Sequence, residues 1–351
     1  MGAHLKVLSI VGARPQFVKL APVAKGLTEA GHEHIIVHTG QHYDERMSGI
    51  FFADLSIPAP DIHLGVGSGT HGVQTGAMLA SLDAVLDEHR PDWVLVYGDT
   101  NSTLAGAVSA VKLHLRVAHL EAGLRSFNRA MPEEINRILT DHAADLLLAP
   151  TQVALGHLTR EGLADRAVVV GDVMTDVCYV VRDAVVAAGQ VNPGEFLVAT
   201  IHRAENTDDP ARLASIILAL QELPLPVRLL AHPRLIARCH EFGVELDRGS
   251  LQSSEPMAYP EIVAAVLGSR GVVTDSGGLQ KEAFLLGRTC TTLRRETEWV
   301  ETLADDWNVL NADLINLAES VTRSTPTEPR ATPYGDGHAA DLVVKTLSEW
   351  H

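Results

Sequence analysis

Short, mainly apolar runs alternate along the chain with longer segments in which apolar residues recur every three or four positions. The runs LKVLSIVG, EHIIVHTG and DWVLVYGD have the length and composition of buried strands. The segments between them, FVKLAPVAKGLTEAG and GVQTGAMLASLDAVLDEH, have the periodicity of helices. Because parallel strands are joined through helices that cover both faces of the sheet, this alternation predicts an α/β fold built on a parallel sheet.

The same alternation begins again in the second half of the chain, at FLVATIH, and continues through VRLLAHP, GVVTD and TCTTLR. It therefore predicts two consecutive doubly wound, Rossmann-like domains with a cleft between them. In such sheets ligands bind beyond the carboxyl ends of the strands. We place the boundary between Gly171 and Gly189, which gives domains over residues 1–175 and 176–335 and a terminal helix over residues 336–351.

Composition narrows the choice of partners. The chain has 351 residues, enough for two domains. Its formal net charge of −16 argues against a broad surface for nucleic acid or for an anionic membrane, but not against local binding of one phosphate group. The 3 cysteines form no CxxC motif, and the apolar run at the start is too short for a signal peptide or a membrane span. We therefore expect a soluble, cytoplasmic protein.

Charged residues stand where predicted strands of the first half end. Arg14 and Lys19 follow the first strand at a strand–helix junction, where backbone N–H groups and the helix dipole favour anions. Asp99 closes one strand and Glu121 closes the next. A single acid in such a place is more often a helix cap. If the two strands are neighbours, however, both acids face the same rim of the cleft.

Two further candidates have bland alternatives. Glu133 lies in a predicted first helical turn, where the helix dipole and pairing with Arg137 favour an acid of any function. A carboxylate held in this way stays ionised, as a general base must. His202 ends the first strand of the second half, and His232 ends a later one. Histidine suits proton exchange near neutral pH, although an isolated histidine is more often structural.

The segment VVTDSGGLQKEA carries the strongest phosphate signal. Ser276, Gly277 and Gly278 end a strand and open a helix, so that free backbone N–H groups can approach an anion. Glu282 lies one turn into that helix, placed for a ribose diol. An ordinary capped helix is the alternative. The motif is not GxGxxG, and the chain contains no GxxxxGK[ST], HExxH or GxSxG, so we expect no NAD, no ATP fingerprint, no metal and no serine nucleophile.

Eight segments together carry a resemblance to a known family: GARPQFVK, TGQHYD, GDTNSTLAGA, HLEAGLRS, PEEINR, IHRAEN, SGGLQKEA and ETEWVET. In order and spacing, over nearly the whole chain, they resemble the non-hydrolysing UDP-N-acetylglucosamine 2-epimerases. The resemblance implies a GT-B-like fold of two Rossmann-like domains. It also implies reversible inversion at C2 of the sugar, giving UDP-N-acetylmannosamine. The family eliminates UDP across C1 and C2, forms a 2-acetamidoglucal and adds UDP back, so no cofactor is expected.

The resemblance also assigns roles to individual residues. Matched by motif, the expected catalytic residues are Asp99, Glu121, Glu133 and His202. Motif and strand-end position together give the expected substrate contacts, with Tyr259 as a candidate for the uracil: Arg14, Lys19, Arg125, His232, Tyr259, Ser276, Gly277, Gly278 and Glu282. The expected partner is a UDP-sugar, with no nucleic acid and no membrane, and we expect a homodimer.

Departures from the family pattern leave the substrate open. Gln16 stands where many members have Glu, and TGQHYDERMS with VGSGTHGVQTG differs from the segments that bind an activating second UDP-sugar in regulated members. Together with RETEWVE, these features are similar to the branch acting on UDP-2,3-diacetamido-glucuronic acid, whose extra carboxylate could pair with Arg125 or Arg129. A GT-B glycosyltransferase, a hydrolysing relative and a non-catalytic UDP-sugar sensor are further alternatives.

Overall fold

A computed structural model describes residues 4–41, 58–255, 257–327 and 330–350 of the chain, and it describes Arg14 by its backbone only. The chain divides into two compact units. Unit 1 comprises Met1–Val177 together with Thr332–His351, and unit 2 comprises Cys178–Ala331. Within the described residues, none of the helices combines the length and the apolar character that a membrane span needs.

Strands and helices alternate through both units. The strands are β1 (Lys6–Val11), β2 (Glu33–His38), β3 (Ile62–His63), β4 (Trp93–Tyr97), β5 (Val117–Leu120), β6 (Leu146–Ala149), β7 (Ala167–Val169), β8 (Leu197–Thr200), β9 (Val227–Leu230), β10 (Leu251–Ser254), β11 (Gly271–Thr274), β12 (Thr289–Thr292) and β13 (Asn308–Leu310). The α-helices are α1 (Arg14–Glu29), α2 (His71–His89), α3 (Asn101–Lys112), α4 (Pro132–Ala143), α5 (Gln152–Arg160), α6 (Val173–Ala187), α7 (Ala204–Thr207), α8 (Pro210–Gln221), α9 (Pro233–Phe242), α10 (Tyr259–Gly268), α11 (Gly277–Leu285), α12 (Leu317–Thr322) and α13 (Ala339–Glu349).

Unit 1 is built on a parallel sheet of 7 strands in the order β3-β2-β1-β4-β5-β6-β7. The strand order reverses between β1 and β4, and ligands bind at such a switch point in doubly wound sheets. β4 and β5 pair with Tyr97 opposite Leu120, so the residues that follow these two strands leave the sheet at one edge. The condition set by the sequence for Asp99 and Glu121, that their strands be neighbours, is therefore met.

Alternate residues of the central strands face two separate apolar layers. Val7 of β1 packs in one core with residues of α1 and α13, among them Leu347. Leu8, the next residue along β1, packs in the other core with Met78 of α2. This alternation follows from the period of two in a strand, and it explains why the β1 run is apolar on both faces.

The last helix, α13, belongs to unit 1 and completes one of its cores. Its first two backbone N–H groups, of Ala339 and Ala340, donate to the Asp176 carboxylate at 3.0 and 2.7 Å. Near its end, the carbonyl of Leu347 accepts a hydrogen bond of 3.1 Å from the buried indole N–H of Trp93. Polar bonds at both ends therefore fix the position at which its apolar face packs.

Unit 2 repeats the architecture with 6 parallel strands in the order β10-β9-β8-β11-β12-β13. The strand order reverses between β8 and β11, where Thr200 pairs with Thr274. Its core contains Leu197, Leu213 and Val273. The prediction of an α/β fold with two doubly wound, Rossmann-like halves is confirmed.

Replacing Leu347 should test the contribution of α13 to unit 1. The side chain is 1 % exposed, so Leu347→Ala should lower the free energy of unfolding by about 2–5 kcal/mol through lost burial and a cavity. Leu342→Ala is the matched control, because Leu342 lies on the same helix and is 45 % exposed. Urea denaturation of the three proteins measures the difference. Equal midpoints for the two variants would contradict the packing of α13.

Candidate active site

Asp99 lies directly after β4 and forms an ion pair that the sequence did not indicate. Its carboxylate accepts hydrogen bonds from Nε and Nη2 of Arg137 at 3.0 and 2.6 Å. Burial opposes the charge on Arg137, but Asp99 and Glu134 outweigh that cost and raise the pKa of the guanidinium. The sequence paired Arg137 only with acids of its own helix. Its bond across to Asp99 could not be read from spacing, because the two residues lie on different elements.

Glu121 follows β5 and pairs with Lys19 of α1. The two side chains are ion-paired and hydrogen-bonded, and they are 12 % and 13 % exposed. Burial opposes the charge on Lys19, but Glu121, Asp99 and Asp172 raise the pKa of its ammonium group. Lys19 therefore stays charged beside two carboxylates that the sequence named as candidates.

The backbone around this pair is unusual. Glu121 has φ of 72° and Gly98 has φ of 62°. Positive φ is uncommon for a residue with a side chain, and such strain is concentrated at functional sites. A Cβ atom on Gly98 would lie 3.1 Å from Oε2 of Glu121 and 3.4 Å from Nζ of Lys19. Glycine at this position therefore leaves room for the ion pair.

The adjacent acids at the start of α4 have different environments. Glu133 is exposed. Glu134 is buried and accepts hydrogen bonds of 2.8 and 2.9 Å from the N–H and hydroxyl of Ser126, and one of 2.9 Å from the Phe127 N–H. Burial opposes its ionised form, yet these bonds and Arg137 lower the pKa of the Glu134 carboxyl. Glu134 is thus an anchor for the preceding loop, whereas Glu133 is accessible.

Arg125 has a different environment from the one that the sequence suggested. Its side chain is 1 % exposed. It donates two bonds of 2.8 Å to Glu161, one of 2.7 Å to Asp141 and one of 2.7 Å to the Leu124 carbonyl. A guanidinium has only five N–H donors. This arrangement gives Arg125 a structural role, in place of direct contact with a substrate.

Gln16 ties the end of β1 to the end of β4. Its buried carbonyl oxygen accepts from the N–H groups of Gly12 and Ala13 at 2.8 and 3.0 Å. Its amide nitrogen donates to the Tyr97 carbonyl at 2.7 Å and to the Thr103 hydroxyl at 3.0 Å. An ionised glutamate could accept these bonds but could not donate. The predicted contact Arg14 stands beside this turn, and its side chain lies outside the described residues.

In unit 2, the buried carboxylate of Asp275 organises the turn after β8. It accepts hydrogen bonds from the backbone N–H groups of His202 and Arg203 and from the side chain of Asn206, at 3.0–3.1 Å. Nδ1 of His202 lies 3.3 Å from the same carboxylate. Asp275 follows β11, so it joins the two strand ends at the switch point of this sheet.

His202 is partly exposed, and its environment favours the neutral ring. Burial is the largest influence and lowers its pKa. Asp275 acts in the opposite direction, whereas His232, Arg203 and Arg234 lower the pKa further. The rings of His202 and His232 are 6.0 Å apart. Nδ1 of His232 accepts from the Arg234 N–H at 3.1 Å, so this imidazole caps α9.

The predicted phosphate motif lies at the start of α11. Ser276 is its N-cap, and the hydroxyl accepts from the Leu279 N–H at 3.3 Å. A Cβ atom on Gly277 would overlap the side chain of Glu298, so close approach requires glycine there. On Gly278 the nearest atom to an added Cβ would be 4.0 Å away. The helix therefore presents an open amino end beside the switch point of unit 2.

Glu282 and Tyr259 are neighbours in unit 2. Tyr259 opens α10, and Glu282 lies on α11. Burial, followed by the charge of Glu282, raises the pKa of the Tyr259 phenol. The proposed ribose and uracil contacts therefore stand close together in one unit. Among the described residues, no three His, Cys, Asp or Glu side chains are arranged to hold a metal ion.

The ring of His202 should titrate below the ordinary histidine pKa of about 6.5. Because burial lowers the pKa, the neutral form should persist to a lower pH than in a free histidine. A histidine Cε1–H NMR titration measures this, and the signal can be assigned by its loss in His202→Gln. Exposed His240 serves as the internal reference on the same unit. A His202 midpoint at or above that of His240 would contradict the described environment.

Comparison with known proteins identifies relatives over the whole chain. The family model for UDP-N-acetylglucosamine 2-epimerase matches residues 25–348. The UDP-2,3-diacetamido-2,3-dideoxy-D-glucuronate 2-epimerase of Pseudomonas aeruginosa is 46% identical, over 98% of this chain and 100% of its own length. The UDP-N-acetylglucosamine 2-epimerase of Methanocaldococcus jannaschii is 38% identical, over 98% of this chain and 99% of its own length.

Solved structures agree with these matches. The crystal structure of the Methanocaldococcus jannaschii UDP-GlcNAc 2-epimerase in complex with UDP-GlcNAc and UDP has a TM-score of 0.85 and 39% identity, covering 98% of this chain and 99% of its own. The Neisseria meningitidis UDP-GlcNAc 2-epimerase bound to UDP-GlcNAc has a TM-score of 0.84 and 26% identity, covering 98% and 99%. The expected GT-B-like fold is confirmed by this likeness.

Proposed function

The chain belongs to the UDP-N-acetylglucosamine 2-epimerase family, and we propose that it interconverts UDP-N-acetylglucosamine and UDP-N-acetylmannosamine by inversion at C2. The observation that carries this proposal is the set of acids in unit 1. Asp99 and Glu121 leave one edge of the sheet, each paired with a cation, and Glu133 is exposed on α4. Inversion at carbon needs groups that remove a proton and return one, and carboxylates can do both.

The proposed reaction is an anti elimination followed by an addition. A base takes the C2 proton while the bond from C1 to the UDP oxygen breaks on the opposite face, which leaves a C1–C2 double bond in a 2-acetamidoglucal. UDP then adds back at C1, and a proton is delivered to the other face of C2. Protons and electrons balance, so the scheme needs no redox cofactor.

The ion pairs of unit 1 suit the basic half of this chemistry. A general base must be deprotonated before it acts. Arg137 holds Asp99 as an anion, and the charged Lys19 does the same for Glu121. We assign proton removal and return among Asp99, Glu121 and Glu133, without ordering the three.

We assign the nucleotide to unit 2. The amino end of α11 suits the diphosphate, because helix N–H groups and the helix dipole attract anions. A bound diphosphate would favour the protonated form of His202, which could then donate to the departing oxygen. Glu282 is assigned to the ribose, Tyr259 to the uracil and His232 to the same ligand, in keeping with their strand-end and helix-start positions.

A second candidate substrate is UDP-2,3-diacetamido-glucuronic acid. The 46% identity to the Pseudomonas aeruginosa 2-epimerase favours it over its full length. Its carboxylate requires a cation. Of the two arginines considered for that contact, Arg125 is buried in ion pairs, whereas Arg129 is exposed. We therefore assign the sugar carboxylate of this alternative to Arg129.

Deuterium exchange should test the epimerisation. Incubated in D2O with UDP-N-acetylglucosamine alone, the enzyme should place deuterium at C2 and give a gluco/manno mixture, read by NMR. Asp99→Asn, Glu121→Gln and Glu133→Gln should each slow exchange by roughly 10²–10⁴-fold, the usual contribution of an acid–base step. Glu88→Gln is the control, since Glu88 is an exposed acid on α2.

Other products would identify other functions. Unchanged sugar without an acceptor would favour a glycosyltransferase, and free N-acetylmannosamine with UDP would identify hydrolysis. Binding without exchange would indicate a sensor. Full exchange in Glu133→Gln would return that residue to a helix-dipole role.

A substrate panel should separate the two sugars. The two UDP-sugars are compared by kcat/KM in wild type, Arg129→Met and Arg160→Met, the last being a control for loss of an exposed arginine. If the uronate is the substrate, Arg129→Met should lower its kcat/KM by about 10–100-fold, the value of a charged hydrogen bond of about 1.5–3 kcal/mol. Turnover of UDP-N-acetylglucosamine should not change in either variant. Equal loss on both sugars would remove the assignment of Arg129.

A further inference from the structure

A buried histidine lies beneath the two strand ends that carry Asp99 and Glu121. His119 and Asp141 have side chains that are both 0% exposed. Nδ1 of His119 is 2.6 Å from Oδ1 of Asp141, and its Nε2 is 2.7 Å from the carbonyl oxygen of Gly98. His119 stands two residues before Glu121, and Gly98 immediately precedes Asp99. One imidazole therefore connects the two candidate acid–base positions.

Both ring nitrogens of His119 face groups that only accept hydrogen bonds. A carbonyl oxygen cannot donate, so Nε2 must carry a proton. Burial opposes ionisation of Asp141, but His119 and Arg125 outweigh it and lower the pKa of that carboxyl. An ionised carboxylate also cannot donate, so Nδ1 carries a proton as well. A ring with both nitrogens protonated is an imidazolium.

The charges around this imidazolium are compensated. The second oxygen of Asp141 accepts from Arg125 at 2.7 Å and from the Gly123 N–H at 3.1 Å. Arg125 in turn pairs with Glu161 at 2.8 Å. Two cations and two anions thus alternate along the cluster. Buried charges are tolerated when they are paired and hydrogen-bonded in this way.

We propose that His119 is a positioning residue, held as an imidazolium by Asp141, that fixes Asp99 relative to Glu121 through the Gly98 carbonyl. Gly98 has φ of 62°, a conformation in which the direction of its carbonyl sets the path of the chain into Asp99. The Gly98 N–H also donates to the Leu120 carbonyl at 3.0 Å, so the turn is held from both strands. A charged donor makes a stronger hydrogen bond than a neutral one. The inference rests on the proposed function for the roles of the two acids.

Nitrogen NMR of histidine-labelled protein tests the charge of His119 without any assay of turnover. The His119 signals are identified by their loss in His119→Gln. Both ring nitrogens should resonate as protonated imidazolium nitrogens, unchanged from about pH 6 to about pH 9, although free histidine loses its proton near 6.5. A neutral tautomer in this range would overturn the inference.

Kinetics of Asp141→Asn test the positioning. The neutral amide should lower kcat by about 10²-fold, the scale expected for misplaced catalytic groups, while KM and the affinity for UDP stay within about twofold. Asp145→Asn is the matched control. Asp145 also accepts a backbone hydrogen bond, of 2.8 Å from Val117, at the opposite end of β5, and its loss should not change kcat.

The outcomes separate the two proposals. Wild-type kcat in a folded Asp141→Asn protein would overturn the positioning role. An equal loss in Asp145→Asn would also overturn it, since general weakening of β5 would then suffice. If wild type shows no deuterium exchange at all, the proposed function fails, while the nitrogen spectrum still decides the charge of His119.

Discussion

Ion pairing at the carboxyl ends of β4 and β5 is the interaction on which the candidate site of unit 1 depends. The sheet beneath is apolar on both faces, so acids at its edge need nearby partners to stay ionised. Lys19 and Arg137 supply those partners from two different helices. The remaining polar groups at the site, Gln16 and Glu134, are bonded mainly to the backbone and hold the loops in which these pairs form.

Unit 2 applies the same topology to another task. Its switch point brings together a buried acid, a partly exposed histidine and the amino end of a helix, with no cluster of ion-paired acids like that of unit 1 among its described strand ends. Asp275 is spent on backbone N–H groups, so it shapes the turn and leaves the helix end to attract anions. Related folds with different residues after the strands can therefore serve proton transfer in one unit and anion binding in the other.

The sequence predicted elements and strand-end residues well, because apolar periodicity and the position of a residue after a strand are local properties. It could not predict partners that lie far apart in the chain. Arg137 looked like a partner for its own helix, and its bonds reach Asp99 as well. Arg125 looked like a cation for the substrate, and it is buried against Asp141 and Glu161. Spacing distinguishes neither case, since both depend on which elements meet in three dimensions.

The packing of α13 also governs the order in which the protein can fold on the ribosome. Unit 1 contains Met1–Val177 and Thr332–His351, and all of unit 2 is synthesised between these two parts. Until the final segment emerges, the apolar face of α1 that meets Val343 and Leu347 has no cover. Domains usually fold in the order of their synthesis. In this chain the first unit to begin is the last to be completed, so a nascent or truncated polypeptide would present that face to chaperones and proteases.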